Sequence, residues 1–540
     1  MPLKRAETWA AAAVLAGLAA LLVPLVGAYF EAFPHGWDQT EYCWAIRDGF
    51  LPHSPYLFYW GLGRLLALFL PPPVALSLLS AASLVAAAGS LHVVMVRVLG
   101  PSCRRDEQRL GAAFASASFL FCFAVFRQGM TQEVYMLQTA LILSAAACGW
   151  GRTRRALLAS SLLYALALST HNGSVFHGPA IAWLWWWQHG KRGLATAIVV
   201  CAAGVLVHAT ILLALLPSTP GADRAAELLT YLRGISPIPS LAAWGDPSFW
   251  RESLAATWEA LSARDIPLTR PPTATSPLGL NPLHGLLALG SLLLFWRGDT
   301  NQRRSVLFWL LFMLPYLGYR LGVGRDIDYG VNVAYVIPAV VGMATLAFAG
   351  SLAWIRRWLR QPVWLVAVTA VVLAATAWPS ANLLCSHRHD VRRERAEHAR
   401  RPSVLAQWLN ASSPRDAIVL QHPDEANVNL LPYYVQRRHT IILDGTCHWL
   451  FRGRPGDFTP INIAAFSKLT REEIGRRLMA GAHLYAFEEH PLKRCPDAGS
   501  GAPRFRWERV EAPDDGMAPP VPIYRAMPTG RCRASQAEDG

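Results

Sequence analysis

Short basic clusters recur between long apolar runs over the first 380 residues, and that alternation constrains the fold more than anything else in the chain. A helix needs about 20 mostly apolar residues to cross a bilayer, and about 17 at the least. Runs of that order lie at 8–28, 73–98, 110–126, 134–150, 156–170, 175–188, 194–216, 282–296, 304–319, 331–354 and 362–379. Lys4 and Arg5 precede the first. Arg104, Arg105 and Arg109 share one connection, and Arg152, Arg154 and Arg155 the next alternate one. Lys191 and Arg192, then Arg297, Arg303 and Arg304, then Arg356, Arg357 and Arg360 continue the series. Every second connection is therefore basic, as cytoplasmic loops of multi-pass proteins are. The pattern predicts about 11 spans in a bacterial inner membrane, with the N-terminus cytoplasmic and the C-terminus outside. The basic stretch from His387 to Arg401 runs against this, but long C-terminal domains translocate largely regardless of charge.

Composition agrees. Hydrophobic residues make up 53% and charged residues 16%, against about a quarter charged in soluble domains. Twenty-one tryptophans suit headgroup anchoring. A net charge of +14 would suit nucleic acid, but its confinement to inter-span clusters is a membrane pattern and excludes that partner. The 8–28 run exceeds the h-region of about 7–15 residues in a cleaved signal peptide and is read as a retained span. The stretch Tyr56–Leu70, stopped by Pro71-Pro72-Pro73, is short and predicts a half-inserted helix.

The predicted fold is a membrane all-α polytopic bundle over 1–380 with a small extracytoplasmic α/β domain over 381–540. The outer loops are 29–56, 127–133, 170–174, 217–281 and 320–330, the long one carrying helices at Ala222–Arg233 and Pro247–Ala263. In the tail, strands are expected at Ala417–Gln421, Thr440–Asp444 and His483–Phe487, with helices at Ala426–Arg437 and Arg471–Ala480. No glycine-rich phosphate fingerprint appears there. Nine cysteines show no metal-type spacing. Cys122, Cys148 and Cys201 read as small buried hydrophobes. Cys385, Cys447, Cys495 and Cys532 could form disulfides in an oxidising compartment, with a pairing that spacing does not reveal.

Chemistry-bearing residues gather in the outer loops. Asp38 and Glu41 are three apart and would share a helix face, about 5–6 Å apart at Cβ. They suit either a capping box with Asp38 as N-cap or a functional carboxylate pair at the membrane boundary. Glu133 would either orient a substrate hydroxyl or cap the following span. His53 and His171 at span ends are candidate hydrogen-bond partners for sugar or phosphate, or structural ones. Arg320 and Arg325, in the loop Tyr319–Tyr329, are phosphate candidates; a surface Arg–Asp pair is the alternative. Arg127 suits phosphate or headgroups.

Four short stretches in three outer loops occur in an order that resembles a known family. Trp37-Asp38-Gln39-Thr40-Glu41 is followed by His53-Ser54-Pro55-Tyr56, then Glu133-Val134-Tyr135-Met136-Leu137, then His171-Asn172. This is similar to the transmembrane O-mannosyltransferase-like family of the GT-C superfamily of membrane glycosyltransferases. Members show Asp-Ser-Gly-Glu, a His-Pro-Pro-Gly-Tyr-Pro-like stretch, Glu-Val-Tyr-x-Leu and an Asn-His-like pair. The match spans about 180 residues. Gln39-Thr40 replaces Ser-Gly, the proline motif is shortened, and His171-Asn172 is reversed. Asp328 and Tyr335, with Pro338 following, loosely resemble a late GT-C motif.

The resemblance implies an inverting transfer of a sugar, mannose at family level, from a polyprenyl-phosphate carrier to a protein, glycan or lipid hydroxyl outside the cell. It places Asp38 and Glu41 in catalysis, and His53, Tyr56, Arg127, Glu133, Tyr135, His171, Asn172, Arg320, Arg325 and Asp328 in substrate binding. No cofactor is required, although two carboxylates could hold a divalent metal with a substrate phosphate. The rivals are a non-enzymatic flippase for lipid-linked sugars and an inactive scaffold of the same fold. Transporters carry charged groups near the bilayer midplane; here the span centres are nearly free of charge.

Overall fold

A computed structural model describes residues 25–27, 29–30, 37–49, 51–52, 56–100, 102–215, 246–262, 282–323, 335–358, 364–379, scattered positions from 381 to 411, and 418–421, 440–443, 483–487, 505–510 and 523–528. The helices are α1 (Trp37–Asp48), α2 (Leu57–Leu66), α3 (Pro72–Leu99), α4 (Arg105–Leu120), α5 (Phe123–Gly129), α6 (Tyr135–Gly149) and α7 (Arg154–Thr170). A 3-10 turn, Asn172–His177, leads into α8 (Gly178–Leu215), followed by α9 (Pro247–Ser262), α10 (Pro282–Arg297), α11 (Thr300–Val323) and α12 (Ile337–Trp358). Most of the 8–28 run, the helices expected at Ala222–Arg233, Ala426–Arg437 and Arg471–Ala480, and Cys447, Cys495 and Cys532 lie outside the described residues. Cys385 forms no disulfide among the described residues.

Two compact units emerge: one of Met1–Ala32, Ser54–Leu228 and Ile235–Arg392, the other of Phe33–His53, Leu229–Gly234 and Arg393–Gly540. The first is a helical bundle. By length and apolar composition, Pro72–Leu99, Asn172–Leu215 and Ile337–Trp358 each suffice to cross a membrane, and the bent pair α4–α5 would add a fourth. Because lipid supplies no hydrophobic drive between helices, small residues and hydroxyls hold such bundles together. Ser90 and Ser144 join α3 to α6 at 2.7 Å. Ser116 donates from α4 to the Ala88 carbonyl of α3, and Ser160 from α7 to the Ala145 carbonyl of α6.

One predicted span is bent, and two others join into a hairpin. The 110–126 run breaks at Phe121–Cys122, and α4 and α5 meet at a 68° bend. The sequence there has no proline or glycine. On one straight helix Phe119, Phe123 and Phe126 would share a face and Phe121 would point away; with the break, all four are buried. The runs 175–188 and 194–216 form one assigned helix, α8, interrupted at Gly190, whose φ of 68° suits only a residue without Cβ. Contacts with α7 show the direction on either side. Trp185 donates to Ser160, and Tyr164 packs beside Trp185. After the break Gly193 approaches Leu157, Cys201 donates to the Ser161 carbonyl, and Gly204 meets Ala165. The first half therefore runs down α7 and the second back up it: a hairpin with Gly190, Lys191 and Arg192 at its tip.

Arg320 corrects a further expectation. It sits inside the last turn of α11, not in a loop, because the apolar pattern continues through Leu321 and Val323.

The second unit contains a five-stranded sheet of β1 (Ile418–Gln421), β2 (Thr440–Leu443), β3 (Leu484–Phe487), β4 (Phe505–Val510) and β5 (Ile523–Pro528), in the order β2-β1-β3-β5-β4. β1 pairs parallel with β2 and β3, whereas β5 is antiparallel to β3 and β4. The first three strands lie where the short β-branched and aromatic runs predict them. β4 and β5 were not expected.

Candidate functional site

The helical unit has two chemically distinct ends. At one, the ends of α3, α6, α10 and α12 and the Gly190 tip of α8 meet the starts of α4, α7 and α11, and the basic clusters of the described residues come together. The Arg97 guanidinium donates to the Ala147 carbonyl. Arg356 lies 3.5 Å from the buried Glu107 and 3.8 Å from Asp106. Ser102 donates to Asp299, and Arg304 sits 5.1 Å over the Trp187 ring.

The opposite end holds a buried cluster of neutral polar and aromatic groups. It draws Tyr56 from the start of α2, Tyr135 and Gln138 from the first turns of α6, His171 from the end of α7, and Ser174 and His177 from the 3-10 turn. Tyr316 and Tyr319 come from the last turns of α11, and Tyr335 precedes α12. Tyr335 is fully buried at its centre, with Tyr316 stacked at 4.3 Å and His177 at 4.9 Å. Gln138 Nε2 donates to the Tyr335 hydroxyl at 2.8 Å and to Ser174 Oγ at 3.1 Å. Ser174 Oγ donates in turn to the Ala167 carbonyl, and Tyr164 donates to the Ser174 carbonyl. Gln138 Oε1 is buried without a hydrogen-bond partner among the described residues.

His171 is the half-buried edge of this cluster. Its ring stacks on Tyr56 at 4.8 Å and leans on Tyr135 at 5.4 Å. Its Nδ1 accepts from the Gly173 amide at 3.0 Å and lies 3.3 Å from the Tyr335 hydroxyl. Burial pushes its pKa down to about 4, so the imidazole is neutral near pH 7. Gly173 is required by close approach, since a Cβ there would lie 1.7 Å from the Tyr335 hydroxyl oxygen.

The structure therefore joins Tyr56, Tyr135 and His171, with half-buried Asn172 beginning the 3-10 turn. Arg127 lies half-buried in the last turn of α5, and its side chain makes no hydrogen bond or ion pair among the described residues. Glu133 precedes Val134, the N-cap position of α6, and the Glu133 carbonyl accepts from Ser80. Asp38 and Glu41 lie on α1, which begins at Trp37, so Asp38 is inside the helix and not its N-cap. His53, Arg325 and Asp328 fall outside the described residues. Among the described residues, no three His, Cys, Asp or Glu groups are arranged to hold a metal ion. Gln138, Ser174 and His177 were missed from sequence; a glutamine inside an otherwise apolar run was the available signal.

No protein-family model matches the chain, and no curated protein matches it by sequence. Solved structures do. ArnT from Cupriavidus metallidurans bound to undecaprenyl phosphate aligns over 95% of this chain and 97% of its own, with a TM-score of 0.57 and 11% identity. The apo form of the same protein aligns over 96% and 98%, with a TM-score of 0.58 and 12% identity. The chain has their fold.

Proposed function

We propose that the chain is an inverting membrane glycosyltransferase that moves a sugar from a polyprenyl-phosphate carrier to an acceptor hydroxyl on the extracytoplasmic side. The main support is a fold shared along 95% of the chain with a protein crystallised with undecaprenyl phosphate. The segregated ends of the helical unit add to it: the basic end suits the cytoplasmic face, and the neutral cluster then falls at the outer one. That orientation, about 11 spans in the inner membrane, and an extracytoplasmic C-terminal domain complete the proposed topology.

An acceptor hydroxyl is a poor nucleophile near neutral pH and gains from a carboxylate base. In the proposed step the acceptor oxygen attacks the anomeric carbon from the face opposite the phosphate. Its proton passes to Asp38, and the carrier phosphate leaves with the bonding electrons. Glu41, on the same face of α1, positions the acceptor. The leaving phosphate needs cations more than protons; Arg127, Arg320 and Arg325 are assigned to it. His53, Tyr56, Glu133, Tyr135, His171, Asn172 and Asp328 are assigned to the sugar and its surroundings. Mannose follows only from the O-mannosyltransferase-like motifs, and the acceptor is a protein, glycan or lipid. The step as written needs no metal, although Asp38 and Glu41 could hold a divalent ion against the phosphate.

The test incubates purified protein with polyprenyl-phosphate sugars and a mixed acceptor pool. Sugar transfer is expected from the wild type and its loss from Asp38→Asn. Transfer undiminished in that variant would remove Asp38 as base; carrier movement across vesicles without transfer would replace the enzyme by a flippase.

A further inference from the structure

The hydrogen bonds around His171 fix which of its nitrogens is available. Backbone Gly173 can only donate, so Nδ1 must carry a lone pair. The Tyr335 hydroxyl accepts from Gln138 and has its own proton left for the same Nδ1. In a neutral ring the proton is then on Nε2. That N–H has no partner among the described residues, on a ring that keeps some exposure at the edge of a buried cluster. Among the described residues, the titratable groups facing the ring are the phenols of Tyr56, Tyr135 and Tyr335.

We infer that His171 is a fixed, uncharged hydrogen-bond donor whose Nε2–H binds a hydroxyl of the transferred sugar, with Tyr335 and Gln138 as positioning residues that set its tautomer. This rests on the glycosyltransferase reading above. Sugar is favoured over phosphate by the surroundings. Phosphate oxygens are best met by cations, whereas the neighbours of His171 among the described residues are tyrosines and a backbone amide. A neutral donor among aromatic rings matches a polyhydroxyl ligand, which brings no net charge to compensate. Sequence spacing identified His171 only as a candidate for either ligand; the donor role comes from the occupied Nδ1.

Two substitutions separate the nitrogens. His171→Asn places an oxygen where Nδ1 accepts and removes the outward N–H. His171→Gln carries an amide N–H out to the Nε2 position. Binding of a polyprenyl-phosphate sugar and of bare polyprenyl phosphate is measured for each. Losing one neutral hydrogen bond corresponds to about a tenfold weaker affinity. His171→Asn should weaken the sugar-bearing donor about tenfold, leave the bare carrier phosphate unchanged, and His171→Gln should recover part of the loss. Equal weakening of both lipids in His171→Asn would overturn the sugar assignment. Nitrogen-15 spectra of histidine-labelled protein supply an arm independent of activity. The resonance lost in His171→Asn should show a protonated Nε2 and a bare Nδ1, without titration between pH 5.5 and 8. A protonated Nδ1, or a midpoint near 6.5, would overturn the tautomer. Wild-type protein that binds neither lipid while giving the expected spectrum would defeat the enzyme reading and the sugar ligand with it, but not the tautomer.

Discussion

The two ends of the helical unit are built from opposite materials. The basic end holds charged side chains whose partners meet them at exposed surface, such as Asp299 with Ser102, and one pair, Arg356 with Glu107, that is partly buried. The other end uses short or rigid neutral groups packed out of water, such as Gln138, Ser174 and Tyr335. Solvated ion pairs tolerate a displaced atom, because water and salt screen what is lost. A buried neutral network does not, because each unmade hydrogen bond leaves a desolvated group. The contrast says where precision is held: orientation is set loosely at one end, and atomic positions tightly at the other.

The sharpest way to break the comparison is Gly173→Ala. Its Cβ would meet the Tyr335 hydroxyl at 1.7 Å, and overpacking of this kind costs about 1–3 kcal/mol or more. Near-complete loss of transfer and a lower melting temperature are expected; wild-type behaviour would mean that this end repacks freely. Tyr335→Phe comes next. It takes one of two partners from the buried Gln138 amide and one donor from His171, a cost of about 1–3 kcal/mol in thermal or denaturant unfolding. At the basic end, Ser102→Ala removes an exposed hydrogen bond to Asp299 and should cost on the order of 0.5 kcal/mol, with sugar-donor affinity unchanged. A larger penalty there than for Tyr335→Phe would reverse the ranking of the two ends.

The smallest effect is a pH dependence. The folded pKa of His171 is depressed to about 4 from an ordinary 6.5. The unfolded chain therefore takes up the proton first, and the histidine's contribution to stability erodes as pH falls from about 6.5 to about 4. Melting curves of wild type and His171→Asn should differ in slope across that window and run parallel above it. Parallel curves throughout would show that the ring is not desolvated.

Much of this was legible in the chain. Apolar runs located α3, α6, α7 and both arms of α8, since each needs only a run of sufficient length. The basic clusters announced one end. The neutral cluster announced itself weakly, because Gln138, Ser174 and Tyr335 are far apart in sequence and meet only once three helix ends converge. The α4–α5 break carried no breaker residue: four buried phenylalanines set it, a tertiary demand that local propensity does not encode. Asp38 and Glu41 were readable as a helix-face pair, and α1 carries both.

The hairpin around Gly190 has a consequence for how this protein can move. One arm meets Ser160 and Tyr164 and the other the Ser161 carbonyl and Ala165, on faces about 100° apart around α7. A shaft held at two azimuths can neither twist nor slide without releasing both clasps. The helix that ends in His171 thus behaves as a fixed post, and any rearrangement during turnover must take place in the segments that surround it.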